Sequence, residues 1–161
     1  MREAVSIARD AGGTVDEEGI RISDEAGEET GRQGAVGAWR NAFLRAPYEA
    51  NLKAGLGLVG DTVETAITWE RWPQLEASVR GALQDALRRV CGGGRVTCRF
   101  THVYPDGPAP YFTFEGLGRR GSELAMYQEI KQAASDAVMA AGGTITHHHA
   151  VGRLHRPWYD Q

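Results

Sequence analysis

"RVTCRFTHVYPDGPAPYFTFEGL", residues 95–117, is the stretch from which the fold is read. Its first half is strand-like, "PDGPA" is turn chemistry, and "PYFTFEGL" returns to a strand pattern. The segment reads as two antiparallel strands joined by a short turn. In the second strand Phe112 and Phe114 share one face, and Tyr111, Thr113 and Glu115 share the other.

An amphipathic helix is expected on either side. Upstream, "WPQLEASVRGALQDALRRVCGGG" puts Leu75, Val79, Leu83, Ala86, Leu87 and Val90 on one stripe, and the glycine run from Gly92 ends it. Downstream, "SELAMYQEIKQAASDAVMAAGG" gives a stripe of Leu124, Tyr127, Ile130, Ala134, Val138 and Ala141. Further out, Asp61 to Trp69 ("DTVETAITW") alternates as a strand, with Val63, Thr65 and Ile67 on one face and Thr62, Glu64 and Thr68 on the other. "TITHHH", residues 144–149, reads as a short fourth strand. Strand, helix, strand, strand, helix, strand is the split βαβ order. The expected fold is therefore α+β and ferredoxin-like. An antiparallel sheet has two helices on one face, and its other face is free for a partner domain or a ligand.

The N-terminal part is less regular. "REAVSIARDAGG" reads as a short helix stopped by glycine, and "TVDEEGIRISDEAGEETGRQG" as an exposed acidic loop. "GAVGAWRNAFLRAP" reads as helical up to Ala46, because Pro47 disfavours helical geometry there, and "YEANLKAGLG" as a second short helix. The expected division is residues 1–33, helix and loop, and residues 34–161, one domain.

The chain has 161 residues, is 42% hydrophobic and carries a formal net charge of −3. That is enough apolar material for a real core, and it gives no general reason to expect nucleic-acid binding. The opening "MREAVSIARDAGG" has acids and no apolar stretch, so no signal peptide is expected. No apolar run approaches the roughly 18 residues of a membrane span. Cys91 and Cys98 are the only cysteines and do not form a CxxC, so a reduced, cytoplasmic protein is expected.

Three consecutive histidines, His147, His148 and His149, stand out in the last expected strand. Strand parity from Ile145 sends His147 and His149 towards the helices and His148 to the free face, beside Tyr111. A phenol and an imidazole on one surface make an acid/base or orienting pair; the plainer reading is an amphipathic sheet with solvated histidines. Consecutive strand residues cannot all point at one ion. His147 and His149 would need partners such as His102 or Glu64, and no ligand spacing supports that, so no metal is expected. His102 shares parity with Phe100 and Cys98 and is expected on the inner face. P-loop and G-x-S-x-G spacings are absent, no G-x-G-x-x-G is read after a strand, and no segment is read as a pyrophosphate cradle.

Three blocks carry a resemblance: "GDTVETAITWERWPQL", "CRFTHVYPDGPAPYFTF" and "GGTITHHHAVGRLHRPWYD". Together they resemble the C-terminal part of FAD-linked oxidases of the vanillyl-alcohol-oxidase superfamily, in the alkyldihydroxyacetonephosphate synthase-like branch. The resemblance spans roughly residues 35 to 160. It implies a cap, or substrate-binding, domain that folds over a flavin. The family's FAD-binding domain would precede this region, in cis or in trans, and its final helix would follow Gln161. FAD would then be held mainly by that other domain. In that branch the tyrosine opening the third strand, here Tyr111, acts in proton transfer, and the triple histidine, here His147, His148 and His149, is required for activity. A small-molecule or lipid-like substrate follows, and homodimerisation stays open. Ala50 stands where the branch has an arginine, which leaves the substrate unassigned. Related metal-dependent 2-hydroxy-acid dehydrogenases carry a second histidine and a glutamate where this chain reads "HVYPDGPAPY" and "HHA", which separates it from them. The contrasting expectation is a ferredoxin-like binding or regulatory module without chemistry of its own.

Overall fold

The computed structural model describes residues 2–15 and 34–161. Most of the expected acidic loop lies outside the described residues. The chain divides into two compact units, Met1–Arg45 and Ala46–Gln161.

Helix α1, Arg2–Asp10, is the expected short helix, and Gly12 beyond it has φ +83°. Helix α2 runs unbroken over Gly34–Gly55 and corrects the expectation of two helices parting at Pro47. A proline inside a helix forfeits one backbone bond, and good helix formers lie on both sides here: Ala42, Leu44 and Arg45 before it, Glu49, Leu52 and Lys53 after it.

The second unit holds strand β1 (Leu58–Glu64), helix α3 (Trp72–Cys91), strands β2 (Gly94–Val103) and β3 (Pro108–Leu117), helix α4 (Glu123–Ala140) and helix α5 (Gly152–Tyr159). The sheet is antiparallel in the order β1-β3-β2. This is the expected α+β arrangement reduced to three strands. Val59 and Val63 of β1, Phe112 and Phe114 of β3, the α3 stripe Leu75, Val79, Leu83, Ala86 and Leu87, and Ile130, Ala134 and Val138 of α4 form one core. Helices α3 and α4 thus cover one sheet face. On α4 the expected stripe needs one correction. Leu124 is 69% exposed, and Met126 is buried in its stead. The buried stripe runs Met126, Ile130, Ala134 and Val138, at the four-residue spacing of one helix face.

Strand β1 begins three residues earlier than expected and ends at Glu64, yet its continuation still follows β3. Thr65, Ile67 and Trp69 donate their amides to the carbonyls of Pro110, Pro108 and Asp106. The prolines have no N–H to return, so the ladder is one-sided and regular pairing stops there.

The fourth strand does not form. Residues 144–149 lie against the outer edge of the β1 continuation, but side chains take most of the hydrogen bonds that their backbone makes. Among the described residues only Thr144 makes a backbone bond, to the Ala66 carbonyl. The Ala66 amide goes to Thr144 Oγ1, and the Thr65 hydroxyl goes to the Thr144 carbonyl. Short hydroxyl side chains compete with the ladder in this way. Gly142, at φ +76°, turns the chain out of α4 immediately before it. The guanidinium of Arg71, just before α3, bonds the Ala141 carbonyl and fixes that turn.

Candidate active site

Alternation along β1 and β3 creates the site. Val63 and Phe112 enter the core, so their neighbours Glu64 and Tyr111, opposite each other in the register, occupy the other face. A glutamate there would ordinarily be solvated. The Glu64 side chain instead has no exposed surface, because the histidine segment folds over it. Its Oε2 accepts the amides of His147 at 3.1 Å and His148 at 2.9 Å. Its Oε1 faces the Nδ1 atoms of both rings, 3.2 Å away for His147, with His148 in close contact. The carboxylate thereby replaces the strand partner that the segment lacks.

Burial pushes the Glu64 carboxyl up, but the amides of His148 and His147 and the charges of His149 and His148 outweigh it. The net result is a carboxyl held below its ordinary value, and so an ionised one. His149 is shifted down. Burial of the ring is the main cause, and the attraction of Glu64 opposes it.

The strand parity assigned to the histidines is therefore corrected. All three rings gather around Glu64, and adjacent rings stand edge to face with centroids 5.1 and 5.2 Å apart. Tyr111 lies on the expected face. The histidine that touches it is His149, edge to face at 5.3 Å, rather than His148. Arg99, its partner on β2, lies over the Tyr111 ring at 4.8 Å.

His102 is a second correction. The register slips between Phe100 and His102, so Phe100 opposes Pro110 while His102 opposes Ala109. The extra residue, Thr101, bonds the Ala109 carbonyl. This bulge turns His102 out of the Phe100 and Cys98 parity and onto the Tyr111 face. There its ring lies 5.3 Å from His147 and 5.1 Å from His148, and stacks on Tyr104 at 5.8 Å. Tyr104 closes the far side, with its hydroxyl 3.2 Å from His147 Nε2.

The spacing argument against a metal fails for the same reason. Once the segment is folded rather than extended, one ring nitrogen each of His102, His147 and His148 lies within 4.8 Å of the others. Glu64, His148 and His149 form a second such group. Either set could hold a transition-metal ion through nitrogen and oxygen donors.

A flavin dinucleotide fits these residues only in part. "GLGRRG", Gly116 to Gly121, has the G-x-G-x-x-G spacing from the end of β3 towards α4, which corrects the reading that no such spacing follows a strand. The amides at its centre are already engaged, however. Gly118 N donates to the Gly57 carbonyl, Arg119 N to Met126 Sδ, and Ser122 N to the Arg119 carbonyl. Glu123 adds a negative charge in the first turn of α4. Two clefts, of about 390 and 310 Å³, are open, and neither is lined by the three consecutive histidines or Tyr111. What the chain does offer a flavin is a polar, aromatic sheet face.

Sequence reasoning singled out Tyr111 and the three histidines. It weighed Glu64 and His102 as metal partners, placed His102 on the inner face and passed over Tyr104. The signal for Glu64 was a lone acid at the end of a strand facing a run of histidines. For Tyr104 there was none, because its position depends on the bulge.

Residues 2–161 match the family model described as FAD linked oxidases, C-terminal domain. The chain is 33% identical over 140 residues to alkyldihydroxyacetonephosphate synthase of Caenorhabditis elegans, covering 82% of this chain and 22% of that protein. It is 33% identical over 123 residues to the synthase of Dictyostelium discoideum, covering 74% and 20%. A solved structure of an alkyldihydroxyacetonephosphate synthase superposes with a TM-score of 0.53 at 20% identity, over 67% of this chain and 19% of that one. The chain thus spans about a fifth of the length of these relatives.

Proposed function

This chain belongs to the family of FAD-linked oxidase C-terminal domains, and we propose that it forms the substrate-side cap of an alkylglycerone-phosphate-synthase-like flavoenzyme. The observation that carries this is the convergence of Tyr111, His147, His148 and His149 on the sheet face away from α3 and α4, anchored by buried Glu64. When bound, FAD would supply the electrophilic and redox chemistry, held mainly by a domain other than this one. Tyr111 and His149 would face a substrate lying between this sheet face and the flavin ring. The Tyr111 hydroxyl would exchange a proton with that substrate, and Arg99 over its ring would hold the phenol in place. The histidine segment would exclude water from one side. The acceptor is a small or lipid-like molecule.

The test is Tyr111→Phe in the complete flavoenzyme, with turnover followed through flavin absorbance under conditions where chemistry limits the rate. The substitution keeps the ring and its packing, and a fall of about a hundredfold is expected. A parent rate in Tyr111→Phe would remove Tyr111 from the mechanism, and a complete protein that carries no flavin would revive the binding-module reading.

A further inference from the structure

Ionised Glu64 can only accept hydrogen bonds. Its Oε2 is occupied by the amides of His147 and His148, and its Oε1 faces an Nδ1 on each ring. Each Nδ1 must therefore carry its proton towards the carboxylate. The 3.0 Å between the two Nδ1 atoms follows from their sharing one acceptor. With its proton on Nδ1, neutral His147 has a lone pair on Nε2, so the Tyr104 hydroxyl 3.2 Å away is the donor in that contact. Phenol, imidazole and buried carboxylate stand in one line of hydrogen bonds. Tyr111 differs. It meets His149 ring to ring, and among the described residues its hydroxyl has no hydrogen-bond partner.

We propose that Tyr104, His147 and Glu64 form a proton-relay triad in which Tyr104 is a second proton-exchanging phenol, with Glu64 as its positioning residue acting through His147. This inference rests on the cap reading above. In the forward step a substrate X–H bond breaks and its electron pair stays on the substrate. The Tyr104 oxygen takes that proton as its own O–H proton passes to His147 Nε2. The products are a substrate anion and a His147 imidazolium paired with the Glu64 carboxylate. No oxidant or co-reactant enters. The reverse step protonates a substrate anion. Tyr104 is 40% exposed, so it can reach a substrate, whereas Glu64 is sealed from solvent and cannot exchange its role with water. The stacked ring of His102 keeps the phenol from swinging away.

Tyr104→Phe in the complete flavoenzyme is expected to lower the single-turnover rate about a hundredfold. Glu64→Gln should lower the rate as well and let the His147 proton move from Nδ1 to Nε2, because the carboxylate no longer holds it on Nδ1. A merely structural role would change rates without changing that tautomer. Independently of turnover, histidine ¹⁵N NMR of the chain should show His147 protonated at Nδ1 and bare at Nε2. A parent enzyme that turns over while Tyr104→Phe keeps its rate overturns the triad and leaves the cap reading intact. A parent without flavin-linked turnover overturns the cap reading and the relay's role together. A His147 protonated at Nε2, or a stoichiometric transition-metal ion on that nitrogen in the purified protein, overturns the hydrogen-bond order itself.

Discussion

Glu64, at the end of β1, organises the histidine segment from outside it. A single carboxylate takes two backbone amides and two ring N–H groups, all from residues more than 80 positions away in the chain. Glu64→Ala would leave those donors in a space closed to water, so a loss of about 3 kcal/mol is expected, measurable by urea denaturation. Glu64→Gln keeps the shape and one acceptor oxygen and should cost about half as much. The pH dependence follows from the lowered carboxyl. The unfolded chain takes up the proton first, near the ordinary value of 4.5, so this stabilisation is present above 4.5 and fades as pH falls through the lower folded value. The difference between parent and Glu64→Gln should accordingly shrink in acid. A gap that stays constant from pH 7 to pH 3 would show that the carboxylate charge does not hold the segment. Ala150, at φ +63°, follows the histidines in a conformation that few non-glycine residues adopt. The His155 ring, through Nδ1, bonds its carbonyl, which helps hold the chain as it turns into α5.

Elements place these residues by departing from regularity. The bulge at Thr101 in β2 moves His102 from the helix face to the histidine face, because one extra residue reverses every later side chain. Deleting Thr101 should remove the bulge and leave His102 directly after Phe100, still opposite Ala109 and still on the histidine face. The check is the ring-current shift between His102 and His147 in proton NMR, which should persist in the deletion variant. Loss of that shift would mean that the bulge geometry, rather than strand parity, positions His102. The missing fourth strand acts in the same sense. A regular strand would have fixed alternate histidines on opposite faces, whereas a segment bonded by hydroxyls and a carboxylate can put all three on one. On the opposite side of the sheet, Lys131 of α4 is buried against the Thr62 carbonyl and the Asp61 carboxylate, and the Tyr127 hydroxyl donates to the same Asp61. That network ties α4 to β1 and so supports the strand that carries Glu64.

At the scale of the molecule, the Ala46–Gln161 unit has one sheet face filled by helices and the other by polar and aromatic groups. Acid should act on the second face first. The folded His149 resists protonation relative to its ordinary value of 6.5, so the neutral ring is favoured in the folded state. The unfolded chain therefore binds the proton earlier as pH falls, and stability above about 6.5 should decline below it. The expected sequence on acidification is a first loss of stability around pH 6, absent in His149→Gln, and a second below 4.5, absent in Glu64→Gln. Urea midpoints at pH 8, 6 and 4 for the three proteins test it. A flat profile between pH 8 and 6 in the parent would contradict the His149 assignment. Among the described residues no helix is long and apolar enough to cross a membrane.

The sequence alone determined whatever depends on local periodicity. The α3 stripe from Leu75 to Leu87, the pairing of Phe112 with Phe114 and the placing of Tyr111 on the opposite face were legible, because a helix of 3.6 residues per turn and a strand of two leave their periods in the apolar pattern. The blocks around Glu64, Tyr111 and His147 to His149 also made the family legible, and the match over residues 2–161 shows it. What only the tertiary structure decided is which polar groups meet. Period two predicts faces only while the ladder stays regular, and it broke where Pro108 and Pro110 withheld donors, where Thr101 added a residue and where Thr65 and Thr144 bonded the backbone through hydroxyls. Each break was set by a partner far away in the chain. Glu64 became the anchor because burial made an ionised carboxylate seek every donor within reach, and those donors were the amides and rings of His147 and His148.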